Sequence, residues 1–225
     1  MRNAKFGTCF SHQHAMIMVW KQASPAVGIF IFESGEGVAL QSSMIKPAVF
    51  VERDGILNRP RVERGKAVPP TALSEFEICV EALPLLRRLK DRGFLLIATT
   101  NQPGISRGYL SRFELDRMHG LLRQIFPLDD LFFCPHDEMD ECPCRKPRPG
   151  LLIEAAYKWH IDLARSFVIS DKWQDAEAAR WAGCISVIIR SPHNGAGHHD
   201  CVVPDLRAAV EKIIQLHSLS CSFDE

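Results

Sequence analysis

The feature that most constrains the fold is a series of short, uninterrupted apolar runs with helical patterns between them. The runs are AVFV at 48–51, FLLIATT at 94–100, LFF at 131–133, FVIS at 167–170 and ISVIIR at 185–190. Continuous apolar residues are typical of strands buried on both faces of a sheet. Residue spacing and capping signals predict helices over 82–93, 111–126, 150–159, 174–181 and 204–216. This alternation, over residues 46–217, predicts a doubly wound α/β domain with a mostly parallel sheet.

The two ends of the chain do not follow this alternation. We expect residues 1–45 to form an N-terminal extension and residues 218–225 a C-terminal tail. Met44 lies just before the first strand, so two alternatives stay open: the functional chain begins there, or the leader is an integral part of the protein. The chain has no run of about 18 apolar residues, and polar residues interrupt its N-terminal apolar stretch. We therefore expect a cytoplasmic protein.

The charge balance argues against nucleic acid and membranes as partners, and the spacing of the cysteines indicates a metal site. Lys plus Arg and Asp plus Glu number 27 each, so no net charge would draw the chain to nucleic acid or to an anionic membrane. Cys134, His136, Cys142 and Cys144 lie within eleven residues. Three thiolates and one imidazole complete a tetrahedral structural Zn²⁺ site and leave no position open for chemistry. Unliganded cysteines are the alternative, and the acidic DEMDE between the ligands argues against a nucleic-acid module.

Polar residues follow four of the predicted strands. They are Glu52 and Asp54, then Thr100 and Asn101, then Arg145 and Lys146, then Asp171, Lys172 and Asp175. The carboxyl ends of parallel strands meet at the edge of the sheet where ligands bind, so we expect these side chains to converge. Carboxylates from two strands suit Mg²⁺, and the basic, hydroxyl and amide groups suit phosphate oxygens. The set indicates phosphoryl transfer.

Four segments carry a resemblance to a known family. They are FVERDGILN at 50–58, TTNQPGISRG at 99–108, CPHDEMDECPCRKPRPG at 134–150 and ISDKWQDAEAARWAG at 169–183. In this order they resemble the haloacid dehalogenase (HAD) superfamily of phosphohydrolases. Within it, the chain is similar to the histidinol-phosphate and heptose-bisphosphate phosphatases of the HAD-IIIA group. The resemblance implies a Rossmann-type sheet, a minimal cap, a zinc-bound loop and Mg²⁺-dependent hydrolysis of a small phosphorylated metabolite by a monomer.

The resemblance also implies a role for each polar residue. Asp54 matches the general acid and base, and Lys146 matches the lysine that stabilises developing charge. Thr100, Asn101, Arg107 and Arg145 match groups that contact phosphate or substrate. Glu52, Asp54 and Asp171 match the Mg²⁺ ligands, with Asp175 in support. Cys134, His136, Cys142 and Cys144 match the zinc ligands of the loop.

Glu52 departs from the family, whose nucleophile is an aspartate. Glutamate can attack phosphorus, but its extra methylene moves the carboxylate by about 1 Å, and such a shift can cost about 10²-fold in rate. Three alternatives follow: Glu52 attacks from an adapted site, the enzyme is slow or uses direct water attack, or the chain binds phosphorylated ligands without turnover. We predict a phosphatase that acts through an acyl phosphate on a sugar bisphosphate or histidinol phosphate, with a slight preference for heptose bisphosphate. The alternative is a catalytically impaired binding or regulatory protein.

Overall fold

The computed structural model describes residues 45–63, 66–192, 194–195 and 197–221. They belong to one unit, Ser43–Glu225. The predicted N-terminal extension, residues 1–45, lies outside the described residues except for Ile45, and so do residues 222–225 of the predicted tail. The strands are β1 Ala48–Glu52, β2 Asn58–Arg59, β3 Arg61–Glu63, β4 Lys66–Val68, β5 Glu77–Ile78, β6 Leu95–Asn101, β7 Asp130–Cys134, β8 Phe167–Ser170, β9 Ile185–Ile189 and β10 Cys201–Val203. The α-helices are α1 Ala82–Lys90, α2 Arg112–Ile125, α3 Gly150–Trp159, α4 Trp173–Ala182 and α5 Leu206–Cys221.

Six of these strands form one parallel sheet in the order β10-β9-β8-β1-β6-β7. β1 lies between β8 and β6, and its Phe50 is paired with Val168 on one side and Ile97 on the other. The predicted α/β fold with a mostly parallel sheet is therefore confirmed. β10 was not predicted, because its three residues directly follow a Gly- and His-rich loop that carries no strand pattern.

Helices cover both faces of the sheet, as the continuous apolar runs indicate. Val49 and Val51 of β1 pack in a core with residues of α1, α2 and α5. Ala48 and Phe50 point to the other face, where they pack with residues of α3 and α4. Because side chains alternate along a strand, a strand buried on both faces must be apolar at every position. β1 is accordingly buried throughout, and its last residue, Glu52, carries the first charge of the site.

A short insert joins β1 to α1. In it β2 pairs antiparallel with β5, and β3 pairs antiparallel with β4. None of these two- and three-residue strands was predicted, since so short a strand shows no periodicity in sequence. The insert agrees with the prediction of a minimal cap. No helix in the described part of the chain is long and apolar enough to cross a membrane.

α2 begins at the capping signal read from the sequence, with one difference. The Ser111 side chain accepts a hydrogen bond from the Glu114 backbone N–H at 3.1 Å, as predicted. The Glu114 carboxylate accepts a hydrogen bond from the Leu73 N–H at 2.7 Å and another from Arg117 at 2.7 Å. It therefore ties the insert to α2 and does not complete a reciprocal capping box.

Candidate active site

β1 delivers two carboxylates to the carboxyl edge of the sheet. Glu52 is 2% exposed and Asp54 is 5% exposed. The chain turns at Gly55, which has a φ of +102°, a conformation that favours glycine. A Cβ at Gly55 would lie 3.1 Å from both carboxylate oxygens of Asp171. Glycine therefore lets the Asp171 carboxylate approach the backbone beside Asp54.

Lys146 joins the two sides of the site. Its Nζ donates to the Glu52 carboxylate and, at 2.6 Å, to Asp175 Oδ1. A third hydrogen bond runs to the carbonyl oxygen of Thr99 at 3.2 Å. The Asn101 side chain holds the Lys146 backbone, accepting from its N–H at 3.1 Å and donating to its carbonyl oxygen at 3.0 Å. Both polar atoms of that amide are thus engaged, so we expect Asn101 to position Lys146 rather than to bind phosphate.

The ionisation states in this cluster result from burial opposed by ion pairing. Burial alone would raise the pKa of Glu52, but Lys146 and Lys172 outweigh it and lower the pKa. Burial alone would lower the pKa of Lys146, but Asp175 and Glu52 outweigh it and raise the pKa. For Asp175 burial prevails over Lys146, and its pKa rises to about 6. Glu52 is therefore an ionised carboxylate at neutral pH, which a nucleophile requires.

The Glu52 carboxylate contacts the groups that are predicted to bind phosphate. Glu52 Oε1 accepts from the Thr100 hydroxyl at 3.3 Å and from the Asp54 N–H at 3.3 Å, while Oε2 accepts from Lys146. A bound phosphoryl group would need the same hydroxyl and ammonium donors. Glu52 must therefore share these donors with the phosphate or release them when substrate enters.

The Asp54 carboxylate is enclosed by donors. Oδ1 accepts from Arg53 at 2.8 Å and from the Asn58 amide at 3.1 Å. Oδ2 accepts from the Gln102 amide at 2.8 Å. The Thr100 hydroxyl lies 3.2 Å from Oδ2, and its single proton is given either to this oxygen or to Glu52. Burial alone would raise the pKa of Asp54, but Arg53 and other positive and hydrogen-bonding neighbours outweigh it and hold the pKa well below its usual range. Both oxygens of this carboxylate are thus engaged, and the Arg53 guanidinium binds the two together.

The Lys172 ammonium contacts two residues that were predicted from the sequence to bind Mg²⁺. Its Nζ donates to the Asp54 carbonyl oxygen at 2.9 Å and to Glu52 Oε1 at 3.3 Å. Burial alone would lower the pKa of Lys172, but Glu52, Asp54, Asp175 and Asp171 outweigh it and raise the pKa. The sequence predicts Lys172 at this edge of the sheet, next to Asp171, but does not indicate a specific role for it.

The donor set around Lys172 fits a hard divalent cation. It consists of carboxylate and carbonyl oxygens, which are the ligands that Mg²⁺ prefers. Asp175 Oδ2 is buried and has no hydrogen-bond partner among the described residues, so this oxygen is available to a cation or to its bound water. Glu52, Asp171 and the Asp54 carbonyl could hold Mg²⁺ here with Asp175 in support.

The cysteine-rich segment after β7 brings its four predicted ligands together. The Sγ atoms of Cys134, Cys142 and Cys144 lie 3.4–3.5 Å from one another, and His136 Nδ1 lies 3.3 Å from Cys144 Sγ. Zn–S bonds of about 2.3 Å in a tetrahedral site imply S–S separations of about 3.8 Å. The observed spacing is close to that value. In the described part of the chain, this is the one set of three or more Cys, His, Asp or Glu side chains whose ligand atoms all lie within 4.8 Å of one another.

The two arginines assigned to the substrate contact this segment instead. Arg107 makes two 2.6 Å hydrogen bonds to the carboxylate of Asp137. Arg145 donates to the His136 carbonyl oxygen at 3.1 Å and to Glu138 at 3.4 Å. To bind a substrate anion, each arginine would have to release or share these partners. The predicted contact with substrate stays a prediction.

A cavity of about 460 Å³ opens beside the site. Asp54, Asp171 and Lys172 form its polar part, and Trp173, Pro60 and Pro69 contribute apolar walls. Trp173 is 41% exposed, so its ring is accessible at the mouth. The cavity can accept the organic part of a phosphate ester.

Comparison with known proteins decides the family. The D-glycero-beta-D-manno-heptose-1,7-bisphosphate 7-phosphatase of Helicobacter pylori (strain J99) is 37% identical over 134 residues, which cover 57% of this chain and 74% of that protein. The chain belongs to the HAD superfamily of phosphatases. The family described as HAD-hydrolase-like matches residues 143–209. The heptose bisphosphate phosphatase of Haemophilus ducreyi is 33% identical over 166 residues, 66% of this chain and 85% of that protein.

Solved HAD structures agree with this assignment. D,D-heptose 1,7-bisphosphate phosphatase from B. bronchiseptica, described in complex with magnesium and phosphate, superimposes with a TM-score of 0.65 and 27% identity. The match covers 76% of this chain and 99% of that one. The enzyme from Burkholderia thailandensis, at 22% identity and a TM-score of 0.56, shares the fold. The resemblance read from the four segments is therefore confirmed.

The structure adds site residues that sequence reasoning missed: Arg53, Asn58, Gln102 and His119. Three of them lie inside the quoted motifs, where a signal existed. Arg53 separates the two acids, Asn58 ends the first motif, and Gln102 follows Asn101. No comparable signal marked His119, because a histidine within an amphipathic helix resembles a solvated residue until the packing is known.

Proposed function

We propose that the chain is a Mg²⁺-dependent phosphomonoesterase that hydrolyses a sugar bisphosphate through an acyl phosphate on Glu52. The observation that carries this proposal is the convergence of Glu52, Asp54 and Lys146 at the carboxyl edge of one parallel sheet. The relatives named as heptose bisphosphate phosphatases support the substrate class. We favour catalysis over ligand binding alone because the relatives are enzymes and Glu52 is an ionised carboxylate in this site.

In the first half of the proposed reaction, Glu52 attacks phosphorus and the ester P–O bond breaks as the new O–P bond forms. Thr100 and Lys146 donate to the phosphoryl oxygens, and the Lys146 charge offsets the negative charge that develops on them. Asp54 transfers a proton to the leaving alkoxide. Because its pKa is low in the free enzyme, we propose that this proton enters with the substrate, as the monoanion of the phosphate ester. Glu52, Asp171 and the Asp54 carbonyl would hold Mg²⁺, which would supply further positive charge beside the phosphoryl oxygens.

In the second half, water hydrolyses the acyl phosphate. Asp54 is now a carboxylate and takes the proton from the attacking water. It passes that proton to the departing phosphate, so the free enzyme returns with Asp54 ionised. Free Glu52 and inorganic phosphate are the products. We assign both halves to one residue because Asp54 Oδ2 lies 3.2 Å from the Thr100 hydroxyl, which is proposed to bind the phosphoryl group.

We further propose Zn²⁺ as the metal of the cysteine-rich segment. Three cysteine sulfurs and one imidazole nitrogen close a tetrahedron, so the metal would be structural. Arg145 and Lys146 directly follow Cys144, so an ordered segment holds Lys146 where it reaches Glu52. The metal would thereby support catalysis from outside the reacting centre.

A panel of phosphate esters tests the proposed function. Phosphate release is measured with Mg²⁺ on heptose 1,7-bisphosphate, fructose 1,6-bisphosphate and histidinol phosphate for wild type and Glu52→Gln, a near-isosteric control. We expect wild type to prefer the heptose ester and the glutamine variant to lose at least about 10³-fold in kcat/KM. Turnover of histidinol phosphate alone would reverse the substrate assignment. Tight binding of these esters by wild type without phosphate release would instead support a binding protein.

A further inference from the structure

Arg53 forms a closed pair with the proposed acid and base. Its side chain is fully buried, although arginine is among the residues least often buried. Nη2 donates to Asp54 Oδ1 at 2.8 Å and to Oδ2 at 3.0 Å, and Nε donates to Oδ1 at 3.2 Å. A planar guanidinium bound to both oxygens fixes the plane of the carboxylate as well as its distance.

Neighbouring elements hold Arg53 in this orientation. His119 of α2 lies on its far side, with Nε2 3.3 Å from Arg53 Nη1. Burial together with the Arg53 charge lowers the pKa of His119 to about 3, so the ring is neutral and its Nε2 can accept that hydrogen bond. The Phe76 ring lies 5.5 Å from the guanidinium, and the His119 ring packs edge-on against Phe133. Arg53 is thus held by residues that never contact the reacting centre.

Stability alone does not account for this arrangement. Burying an ion pair costs desolvation free energy, and replacing such a pair by apolar residues is often neutral or stabilising. What a bidentate pair adds is a defined geometry. Asn58 and Gln102 bind one oxygen of Asp54 each, so either could keep the carboxylate in the site, but neither fixes its plane.

We infer that Arg53 is a positioning residue: with His119 behind it, it fixes the plane of the Asp54 carboxylate for proton transfer to and from the reacting oxygen. This inference rests on the proposed phosphatase function and adds to it a determinant of which esters are cleaved. In the step concerned, the ester P–O bond breaks, Glu52 bonds to phosphorus, and the proton moves from Asp54 to the departing oxygen. A poor leaving group needs that proton, whereas a nitrophenolate does not.

The test compares two leaving groups in the full-length chain. Variants Arg53→Met and Arg53→Lys are assayed with heptose 1,7-bisphosphate, whose 7-phosphate is an alkyl ester, and with 4-nitrophenyl phosphate. The readout is kcat/KM, which reports steps up to release of the leaving group. We expect Arg53→Met to lose about 10²-fold on the alkyl ester and less than about tenfold on the aryl ester. Arg53→Lys keeps the positive charge but loses the planar guanidinium that binds both carboxylate oxygens. Its kcat/KM on the alkyl ester should lie between those of wild type and Arg53→Met.

Arg112→Met is the matched control. The Arg112 guanidinium lies 4.6 Å from the Phe133 ring, near His119, but pairs with Asp116 and not with Asp54. This variant should keep the wild-type ratio between the two esters. Equal losses of Arg53→Met on both esters at an unchanged Tm would overturn the inference, since a general structural role affects both alike.

A crystal structure separates this inference from the proposed function. In Arg53→Met we expect the Asp54 carboxylate to rotate away from the plane it occupies beside Arg53. If wild type cleaves neither ester, the proposed function fails, and the orientation of Asp54 in the variant still decides the inference. An unchanged Asp54 orientation would overturn it.

Discussion

The Lys146 ammonium lies between the carboxylates of Glu52 and Asp175 and binds both, with 2.6 Å to Asp175 Oδ1. Each carboxylate comes from a different element, Glu52 from β1 and Asp175 from α4. All three side chains are at most 2% exposed, so neither acid could stay ionised at neutral pH without a cation. One lysine therefore both assembles the site and supplies charge for the phosphoryl group.

Lys146→Met tests this double role. Removing one member of a buried ionic group leaves its partners uncompensated, which costs about 3–5 kcal/mol. We expect a fall of that size in the free energy of unfolding by urea in Mg²⁺-free buffer, together with a loss of activity of at least about 10²-fold. The double variant Lys146→Met/Asp175→Asn removes one of the two acids and should recover part of the stability but none of the activity. Equal stability of the single and double variants would refute the pairing.

His119 should make stability depend on pH. Its pKa is about 3 in the folded chain, against about 6.5 when unfolded, so between these values the unfolded chain binds more protons. The stabilisation is present above pH 6.5 and is lost as the pH falls towards 3. Between pH 7.5 and pH 5, wild type should lose about 2 kcal/mol more than His119→Gln, which keeps a polar group but does not titrate. Urea unfolding at both pH values measures this, and parallel losses would contradict the buried neutral histidine.

Cys142→Ser tests the proposed zinc site. We expect bound metal to fall from one ion per chain to none, and kcat/KM to fall by at least about tenfold as the segment that carries Lys146 loosens. Cys201→Ser is the control, since Cys201 is similarly half-buried but lies outside the ligand group. Elemental analysis of protein purified without chelator gives the stoichiometry. Full metal content in Cys142→Ser would exclude Cys142 as a ligand.

Lys172→Met should strengthen binding of Mg²⁺. The ammonium lies 2.9 Å from the Asp54 carbonyl oxygen and 3.3 Å from Glu52 Oε1, where it competes with a divalent cation for the same oxygens. Titration calorimetry with Mg²⁺ alone should show affinity raised by about tenfold, which corresponds to about 1.4 kcal/mol. Lys158→Met, which removes an exposed pair with Asp130, should change nothing. Weaker binding in Lys172→Met would mean that the lysine supports the metal site.

The fold and the convergence of the site could be read from the sequence because they depend on local pattern. Continuous apolar runs define buried strands, and in a parallel sheet the residues after Val51 and Ser170 must meet at one edge. The hydrogen-bond partners of Asn101, Arg107 and Arg53 could not be predicted from local sequence pattern. Asn101 binds a backbone 45 residues away and Arg107 a carboxylate 30 residues away. Such pairings depend on how loops pack, and no periodicity encodes them.

Arg53 shows the limit most clearly. Between two acids at the end of a strand, an arginine reads as a solvated residue of a turn. Its burial depends on His119 and Phe76, which lie 66 and 23 positions further along the chain. Only the packing of α2 and of the insert on β1 makes it a buried partner of Asp54.

The most direct test of the account is to identify the residue that carries the phosphoryl group. Wild type is mixed with a sugar bisphosphate and Mg²⁺, quenched in acid within one turnover, digested and analysed by mass spectrometry. The account predicts one added phosphoryl group on the peptide that contains Glu52, and none in Glu52→Gln. Phosphate release by wild type with that peptide unmodified at every quench time would contradict it, because water would then attack phosphorus directly.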